Sequence, residues 1–404
     1  MLQSNSVTLP SEGPSTVLSA QRIATLLCFF SLGFATAAWA PLIPFAQQRM
    51  NFNHAEFGGL LLCAGVGSML AMAATGYLIQ KFGARVIIAS IFMLLSVVLP
   101  LLALVESPWL FGVSLFFFGA AAGSLGIAIN LQAVIVEKQY AKPMMSHFHG
   151  MCSLGGLSGV LLMTALVAFG LHPLIAALVI VALLVLLGLF AVPQCLNRED
   201  LQQQTQASHP AQAKSRRSLP TPLVVLIGVI CFIAFLSEGA AMDWSGIYLN
   251  RTFGIDAAYT GLAYSCFAVS MTLGRFAGAR IQQFWGEHNT ILLSALGAGI
   301  GLATVVLAPH WWVVLFGYGI VGLGCANIVP IMFSRVGRQT QMPQAVALSY
   351  VSSFAYTGAL LGPALVGLGS EMFGLNVVFI MIAFALSSIA ILNRFTCLPM
   401  RRVH

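Results

Sequence analysis

Three charged side chains stand well inside long apolar stretches of the sequence: Glu238, Asp243 and Arg275. A charge at the centre of a bilayer costs about 2.5–3.5 kcal/mol on insertion scales, and such residues commonly serve ions, protons or solutes. Apolar surroundings disfavour the charged form of a carboxyl group, and a reversible proton carrier needs this property. We therefore predict that Glu238 binds and releases a proton. The alternative is a glutamate that only forms a hydrogen bond between helices.

The other two charges suggest different roles. Asp243 lies about 7 Å beyond Glu238 along a helix and about 140° around it, so the two acids do not share a face. With Trp244 beside it at the depth of the lipid headgroups, Asp243 is interpreted as a hydrated gate residue. Arg275 lies near the end of its apolar stretch, where a long side chain can reach the membrane surface. We predict a structural ion pair for Arg275, with an anion-binding site as the alternative.

His149 is a second candidate for proton transfer or solute contact, because it shares a helical face with Ser153; a packed histidine is the alternative. His147, two residues earlier, points in nearly the opposite direction, so the two histidines cannot bind one metal ion. Neutral polar and aromatic residues at similar depth predict a mildly polar cavity for a small hydroxylated, amide or weakly acidic solute, although each could instead bridge helices. The predicted cavity residues are Trp39, Asn130, Gln132, Asp243, Trp244, Tyr264, Asn327 and Tyr356.

The elements that position these residues are membrane-spanning helices. Of the 404 residues, 59% are hydrophobic and only 7% are charged, whereas soluble domains carry about 25% charged residues. A helix needs about 20 apolar residues to cross the bilayer core, and unpaired backbone groups are not tolerated there. The sequence predicts an all-α membrane protein with twelve spans, at residues 23–44, 57–80, 86–105, 109–136, 146–170, 173–193, 222–248, 258–280, 290–308, 312–334, 345–368 and 374–395.

The distribution of positive charge indicates the orientation. If both termini are cytoplasmic, all of the eighteen Lys and Arg residues except Arg49, Arg251 and Arg275 fall on the cytoplasmic side. This is the bias that orients membrane proteins. The net charge of +7 is therefore interpreted as a topology signal, and we do not expect nucleic acid as a partner. A bacterial inner membrane is the expected location.

A long polar stretch divides the chain near its midpoint. Residues 194–221 are rich in Gln, Ser, Pro and charge, which is typical of a flexible linker. We expect two six-helix bundles on either side of it. The predicted organisation is an N-terminal tail at 1–22, a first bundle at 23–193, the linker at 194–221, a second bundle at 222–395 and a C-terminal tail at 396–404.

Short patterns recur in the two halves in the same order, at offsets of about 200 residues. Small residues four positions apart let two helices approach closely in lipid, and a parallel repeat of two bundles is an architecture of rocking transporters. We therefore predict a pseudo-two-fold repeat. The paired patterns are Val113 to Gly119 with Val313 to Gly319, Gly155-x-x-x-Gly159 with Gly358-x-x-x-Gly362, and Gly76 and Gln80 with Gly278 and Gln282.

A loop motif follows the second predicted span, with Gly76, Gln80, Lys81, Gly83 and Arg85 at its key positions. It resembles the signature loop of the major facilitator superfamily, a glycine followed by an acid-basic-x-Gly-x-basic turn. Glycine permits a tight turn, and basic side chains can meet carbonyl groups at helix C-termini. The resemblance implies a conformational latch that breaks when the transporter opens. Gln80 stands where the family carries an acid, so a charge-paired latch is not expected.

Most of the chain is similar to a bacterial branch of that superfamily, the fucose-permease-like and bypass-of-stop-codon-type proteins. The resemblance implies the major facilitator fold and alternating access, with proton-coupled symport of a small solute. Residues 23–44 contain no Asp or Glu, whereas sugar–proton symporters of this type tend to carry an acid there, which weakens a prediction of sugar transport. The resemblance rests on Trp39 to Pro44, Asn130, His149-Gly150, Ser153 to Gly155, Glu238-Gly239, Asp243-Trp244, Gly274 to Phe276 and Gly362-Pro363.

Other classes of protein fit the sequence less well. It contains no GxxxxGK[ST], HExxH or CxxC pattern, so we expect neither ATP hydrolysis, enzymatic activity, a cofactor nor a metal site. A drug–proton antiporter is an alternative, although that group tends to show glycine-proline pairs in the fifth span and residues 146–170 contain no proline. A non-transporting sensor is a further alternative, with little sequence outside the spans for output. We expect a monomer whose partners are the solute, protons and lipid.

Overall fold

The computed structural model describes residues 16–50, 54–200, 219–255 and 261–396, and within them the chain forms helices and short connections. Most of the predicted tails and of the linker at 194–221 lies outside these residues; α1 already begins at Thr16. The first half contains α1 Thr16–Ala37, α2 Ile43–Arg49, α3 His54–Phe82, α4 Ala84–Leu104, α5 Pro108–Tyr140, α6 Met145–Ala168 and α7 Pro173–Ala191. The second half contains α8 Pro222–Phe253, α9 Gly261–Val306, α10 Trp311–Cys325, α11 Ile328–Arg338, α12 Gln344–Phe373 and α13 Leu375–Leu392.

The helices account for twelve membrane crossings. Among the described residues, eleven stretches are long and apolar enough to span a bilayer. The longest, α9, has 46 residues and would extend about 69 Å as one helix, roughly twice the thickness of a bilayer core. Gly286 interrupts it with a φ of 74°, so α9 consists of two helices that cross separately. The predicted number of spans is confirmed, and their predicted positions agree closely with the helices.

One crossing is interrupted within the membrane. Helices α10 and α11 together form the span Trp311–Arg338, and the break between them falls at Ala326 and Asn327. Pro330 lies in the first turn of α11, where backbone N–H groups have no partner inside the helix. Because proline has no N–H to leave unpaired, the new helix can begin there. The break places the buried Asn327 side chain near the middle of this span.

Glycines give the two halves the same internal packing. A Cβ atom at Gly155 of α6 would collide with the carbonyl oxygen of Phe30 of α1, and one at Gly358 of α12 would collide with the carbonyl oxygen of Phe232 of α8. Gly159 and Gly362, one turn later, repeat the contact. Each half therefore packs its first crossing against its fifth at backbone distance, which only glycine permits. The predicted repeat is thus present as equivalent helix contacts.

The halves meet closely at one end of the bundle, where α3, α5 and α11 end and α6, α8 and α12 begin; we call it the linker end. There Gly76 of α3 lies against α12, and an added Cβ would stand 2.9 Å from the carbonyl oxygen of Ala345 and collide with Ser349. By the same pattern Gly278 of α9 lies against α6, where an added Cβ would stand 2.6 Å from the Cβ of Ser146. These two symmetric contacts close the linker end.

The loop between α3 and α4 binds the segment that follows α7. Gly83 has a φ of 88°, and an added Cβ would stand 2.8 Å from the backbone nitrogen of Arg198. The Arg85 Nε donates to the carbonyl oxygen of Cys195 at 2.8 Å, while the Lys81 Nζ lies 5.1 Å from the ring centroid of Phe82. These contacts join the first bundle to the start of the linker and do not reach the second half. Of the two motif glycines, Gly76 touches the other half, and the latch itself remains a prediction.

Candidate solute and proton site

An ion pair lies in the interior of the second half. The Arg275 Nη2 of α9 is 3.5 Å from the Glu238 Oε1 of α8, and their side chains are only 11% and 21% exposed. Both residues fall inside predicted spans, where a single unpaired charge is costly. Packing α8 against α9 brings the opposite charges together, so that each provides the counter-charge of the other.

Arg275 also connects the two halves. Its Nη1 donates to the Ser153 Oγ of α6 at 2.6 Å, and that hydroxyl donates to the carbonyl oxygen of His149 at 3.3 Å. The Nε of Arg275 is buried and has no hydrogen-bond partner among the described residues. The guanidinium thus bridges Glu238 in one half and Ser153 in the other, and its Nε–H has no partner.

His149 lies on the first-half side of this bridge. Its Nε2 is 3.2 Å from the Asn130 Oδ1 of α5. The Asn130 Nδ2 donates to the carbonyl oxygen of Gly126 at 2.7 Å, so the Oδ1 is the acceptor and the hydrogen is assigned to the histidine Nε2. The ring stands 5.2 Å from the Phe29 ring and 5.9 Å from the Phe333 ring of the other half, measured between centroids. His149 is both packed and hydrogen-bonded.

Two tyrosines flank these polar residues. The Tyr356 ring of α12 packs 6.0 Å from the Phe235 ring, and its hydroxyl faces α5 of the other half, 3.4 Å from where a Cβ at Gly126 would stand. The Tyr264 ring of α9 stacks on Phe267 at 5.9 Å, within electrostatic range of Glu238 and Arg275. The Tyr356 hydroxyl therefore lies between the halves, and Tyr264 lies near the ion pair within the second half.

The break between α10 and α11 places Asn327 against α9, next to Arg275. Its Nδ2 donates to the carbonyl oxygen of Gly274 at 3.0 Å, the residue immediately before Arg275. Its Oδ1 is buried and has no hydrogen-bond partner among the described residues. Together with the Arg275 Nε, this leaves one buried acceptor and one buried donor without a partner on neighbouring helices. Most buried side-chain polar groups have a hydrogen-bond partner, so each group without one requires an explanation.

Comparison with known proteins identifies the family. Residues 25–244, and again residues 227–401, match the Major Facilitator Superfamily. The chain belongs to this superfamily. It is accordingly a multi-pass secondary transporter and not an enzyme. An uncharacterized MFS-type transporter of Yersinia pestis is 39% identical over 370 residues, which cover 92% of this chain and 94% of that protein. Membrane protein MosC of Rhizobium meliloti is 30% identical over 348 residues, covering 86% and 83%.

Solved structures show the same fold. The E. coli fucose:proton symporter FucP superposes with a TM-score of 0.76 over 94% of this chain and 100% of that chain, at 19% identity. The human organic anion transporter MFSD10 superposes with a TM-score of 0.75 over 94% and 100%, at 15% identity. At these identities the similarity establishes the fold of the transporter and not its solute.

Two predicted cavity residues pack inside the first half of the transporter instead. Trp39 is buried against the rings of Phe111 and Phe118 of α5, at 5.9 and 6.5 Å between centroids. Both ends of the Gln132 amide are hydrogen-bonded elsewhere, since its Nε2 donates to the Thr25 Oγ1 at 3.0 Å and its Oε1 accepts from the backbone N–H of Leu196 at 3.2 Å. Neither side chain joins the residues around Arg275.

Asp243 and Trp244 also lie apart from the ion pair. Asp243 is exposed and within electrostatic range of Tyr264. The Trp244 ring packs against α12, 3.2 Å from where a Cβ at Gly367 would stand. Both residues are on α8 beyond Glu238, so they lie nearer the end opposite the linker end.

The position of Arg275 corrects the expectation from sequence. Its side chain does not extend to the membrane surface but points inward between Glu238 and Ser153. An ion pair was expected for Arg275, but neither its partner nor the role of Ser153 was. A signal was available, because two opposite charges deep in neighbouring spans are each costly alone and stabilise each other when they meet.

Among the described residues, no three His, Cys, Asp or Glu side chains group as a metal site.

We define the central cluster as the residues that the structure brings together here. It comprises Asn130, His149 and Ser153 of the first half and Glu238, Tyr264, Arg275, Asn327 and Tyr356 of the second.

Proposed function

We propose that this transporter moves a small polar solute in symport with protons, and that Glu238 is the group that binds the coupling proton. The observation that supports this most is the bridge made by Arg275, which is 3.5 Å from Glu238 in one half and 2.6 Å from Ser153 in the other. A change in the charge of Glu238 would therefore alter the interactions of Arg275, and with them the contact between the halves.

The chemistry of the pair suggests how coupling works. Arg275 stays protonated at any physiological pH, whereas a buried carboxyl can gain or lose a proton. When Glu238 is protonated, the guanidinium loses its counter-charge and must find other acceptors, because a buried unpaired charge is strongly unfavourable. Polar groups of a bound solute can supply those acceptors. Proton binding and solute binding then favour each other.

The walls of the central cluster fit a small solute with hydrogen-bonding groups. The free Nε of Arg275 can donate to an oxygen atom, and the free Oδ1 of Asn327 can accept from a hydroxyl or amide group. Tyr264 and Tyr356 provide aromatic surfaces with polar tips. A small hydroxylated, amide or weakly acidic solute matches these groups.

The closed linker end supports alternating access. The glycine contacts of α3 with α12 and of α6 with α9 hold the halves together there. Transport requires that these contacts open while contacts at the opposite end form, with the central cluster between them. The excess of basic residues at the linker end supports a cytoplasmic position for this end and for both termini, in a bacterial inner membrane.

Gradient-driven uptake tests the proposal. The solute is first identified by screening the thermal unfolding of the purified protein against sugars, organic acids, amino acids and drugs, because a ligand of the folded state raises its stability. Proteoliposomes are then given an acidic exterior and a neutral interior. We expect accumulation of that solute above its external concentration, and loss of accumulation with a protonophore. Accumulation only under the reverse gradient would indicate an antiporter and would contradict symport.

A further inference from the structure

A cavity separate from the central cluster lies at the linker end. It is a cleft of about 700 Å³ between the first half and α9 of the second half. Three helices contribute regularly spaced stripes to it: Leu18, Arg22 and Leu26 of α1; Met144, His147 and Met151 at the start of α6; and Phe276, Ala279 and Gln283 of α9.

The cleft and the central cluster use different faces of the same helices. On α6, His147 faces the cleft, whereas His149 and Ser153 bond within the central cluster. On α9, Phe276 faces the cleft, whereas its neighbour Arg275 pairs with Glu238. Residues one or two positions apart point in different directions on a helix, so the cleft is a separate site.

The rim of the cleft is basic. Arg22 and Lys142 line it and are exposed, and His147 lies within electrostatic range of Arg22 and Arg280. None of the described lining residues is acidic. Glu137 lies nearby, but its Oε2 accepts hydrogen bonds from the backbone N–H groups of Met144 and Met145, both at 2.7 Å. Its carboxylate is therefore bound to the backbone at the start of α6.

The deeper walls are apolar. Leu26 and Met151 lie about one turn further into the membrane than Arg22 and His147, and Phe276 faces them from the other half. The polar rim therefore sits at the membrane surface and the apolar walls extend into the hydrocarbon region. This is the polarity of a phospholipid, with a headgroup above acyl chains.

We propose that this cleft binds an anionic phospholipid from the leaflet at the linker end. Arg22 and Lys142 hold its phosphate, and Leu26, Met151 and Phe276 contact its acyl chains. The basic rim above apolar walls fits this ligand better than a free phosphate ion, because a phosphate ion has no apolar group to contact the lower part of the cleft. Because the lipid contacts both α6 and α9, it stabilises the closed linker end.

The basic residues of the rim occur in the first half and have no basic counterparts in the second. The contacts of Phe30 and Phe232 relate α1 to α8 by 202 positions, and those of Gly155 and Gly358 relate α6 to α12 by 203. At these offsets the counterparts of Arg22, Lys142 and His147 are Val224, Ala345 and Tyr350, which carry no charge. The repeat alone therefore does not explain the basic residues.

Native mass spectrometry of the full-length protein in detergent tests the site. The probe is phosphatidylglycerol, compared with phosphatidylcholine of identical acyl chains. We expect retention of phosphatidylglycerol that glycerol phosphate at equal concentration does not displace. The double variant Arg22→Gln, Lys142→Gln should lower its retention at least roughly tenfold, since each basic residue near a membrane surface strengthens binding to anionic lipid several-fold.

The matched control removes the same charge elsewhere at the linker end. Arg198 and Arg394 are both exposed and lie outside the cleft, so the double variant Arg198→Gln, Arg394→Gln should retain phosphatidylglycerol within about twofold of wild type if the site is specific. Equal loss in both double variants, equal retention of the two lipids, or displacement by glycerol phosphate overturns the proposal. So does a several-fold gain in retention on deletion of residues 1–15, which would identify the N-terminal segment as the occupant.

Discussion

At the scale of single residues, the ion pair between Glu238 and Arg275 is chemically asymmetric. A guanidinium cannot be deprotonated in a protein, whereas a carboxyl group that loses its partner can bind a proton and become neutral. Removing either partner therefore has a different consequence. This asymmetry is what allows one residue of the pair to carry protons while the other stays charged.

We predict that Glu238→Gln destabilises the protein by about 3 kcal/mol, because it leaves Arg275 without a counter-charge. Arg275→Gln should cost only about 1 kcal/mol, because Glu238 can bind a proton, and this cost should shrink as the pH falls. The double variant should be less destabilised than the sum of the single variants. Equilibrium unfolding in mixed micelles measures all four proteins. The prediction is contradicted if the two destabilisations add in the double variant, or if Arg275→Gln destabilises the protein more than Glu238→Gln. Either result would show that the two side chains do not stabilise each other's charge.

The residues of the pair could be predicted from the sequence, but their contact could not. Glu238 and Arg275 stood out because each is a charge in an apolar span. The bond of Ser153 to Arg275 was not anticipated, because a serine within a span commonly bonds to its own helix. Helical periodicity relates residues within one helix, and it does not say which face of α9 meets α8. Gln132 and Trp39 were predicted to line the cavity from their residue type and depth, and the structure turns both into the first half.

At the scale of helices, glycine sets how closely the two halves meet at the linker end. Gly76 and Gly278 occupy equivalent positions, and each lets its helix touch a serine of the other half, Ser349 and Ser146. The contact of Gln282 Nε2 with the Ser146 Oγ at 3.0 Å adds a hydrogen bond on one side. A larger side chain at either glycine would require the halves to separate.

We predict that Gly76→Leu favours an open linker end, because the leucine side chain occupies the space now held by Ala345 and Ser349. Hydrogen–deuterium exchange should become faster at the end of α3 and at the start of α12. Gly297→Leu is the matched control, since a Cβ added at that helical glycine meets nothing within 4 Å. The prediction fails if both leucine variants exchange like the wild type, or if both accelerate exchange equally.

At the scale of the whole molecule, composition and repetition determined most of what could be predicted. Lipid requires helices of a set length, so the spans followed from apolar stretches alone. The glycine patterns predicted the repeat because close packing demands glycine at the same place in each half. The break at Gly286 was located only as a boundary between two spans. The orientation of the molecule in the membrane rests on charge alone.

Cysteine accessibility tests that orientation. In a background without the native cysteines, Ser208→Cys in the linker should react with a membrane-impermeant reagent only after the cells are permeabilised. Arg251→Cys, near the end of α8, should react in intact cells. The basic residues at the linker end keep that end in the cytoplasm, so position 251 lies on the opposite side of the membrane. The opposite pattern would invert the topology, and labelling of both positions on one side would contradict the odd number of crossings between them.

The most direct test of the central claim is uphill uptake by Glu238→Gln in proteoliposomes, using the solute found by the stability screen. Glutamine mimics the protonated side chain, so solute binding and downhill exchange should persist in correctly folded protein, while accumulation driven by a proton gradient should be abolished. Glu371→Gln, an exposed acid at the end of α12, is the matched control and should accumulate solute like the wild type. If Glu238→Gln accumulates solute at a near wild-type rate, Glu238 does not carry the coupling proton.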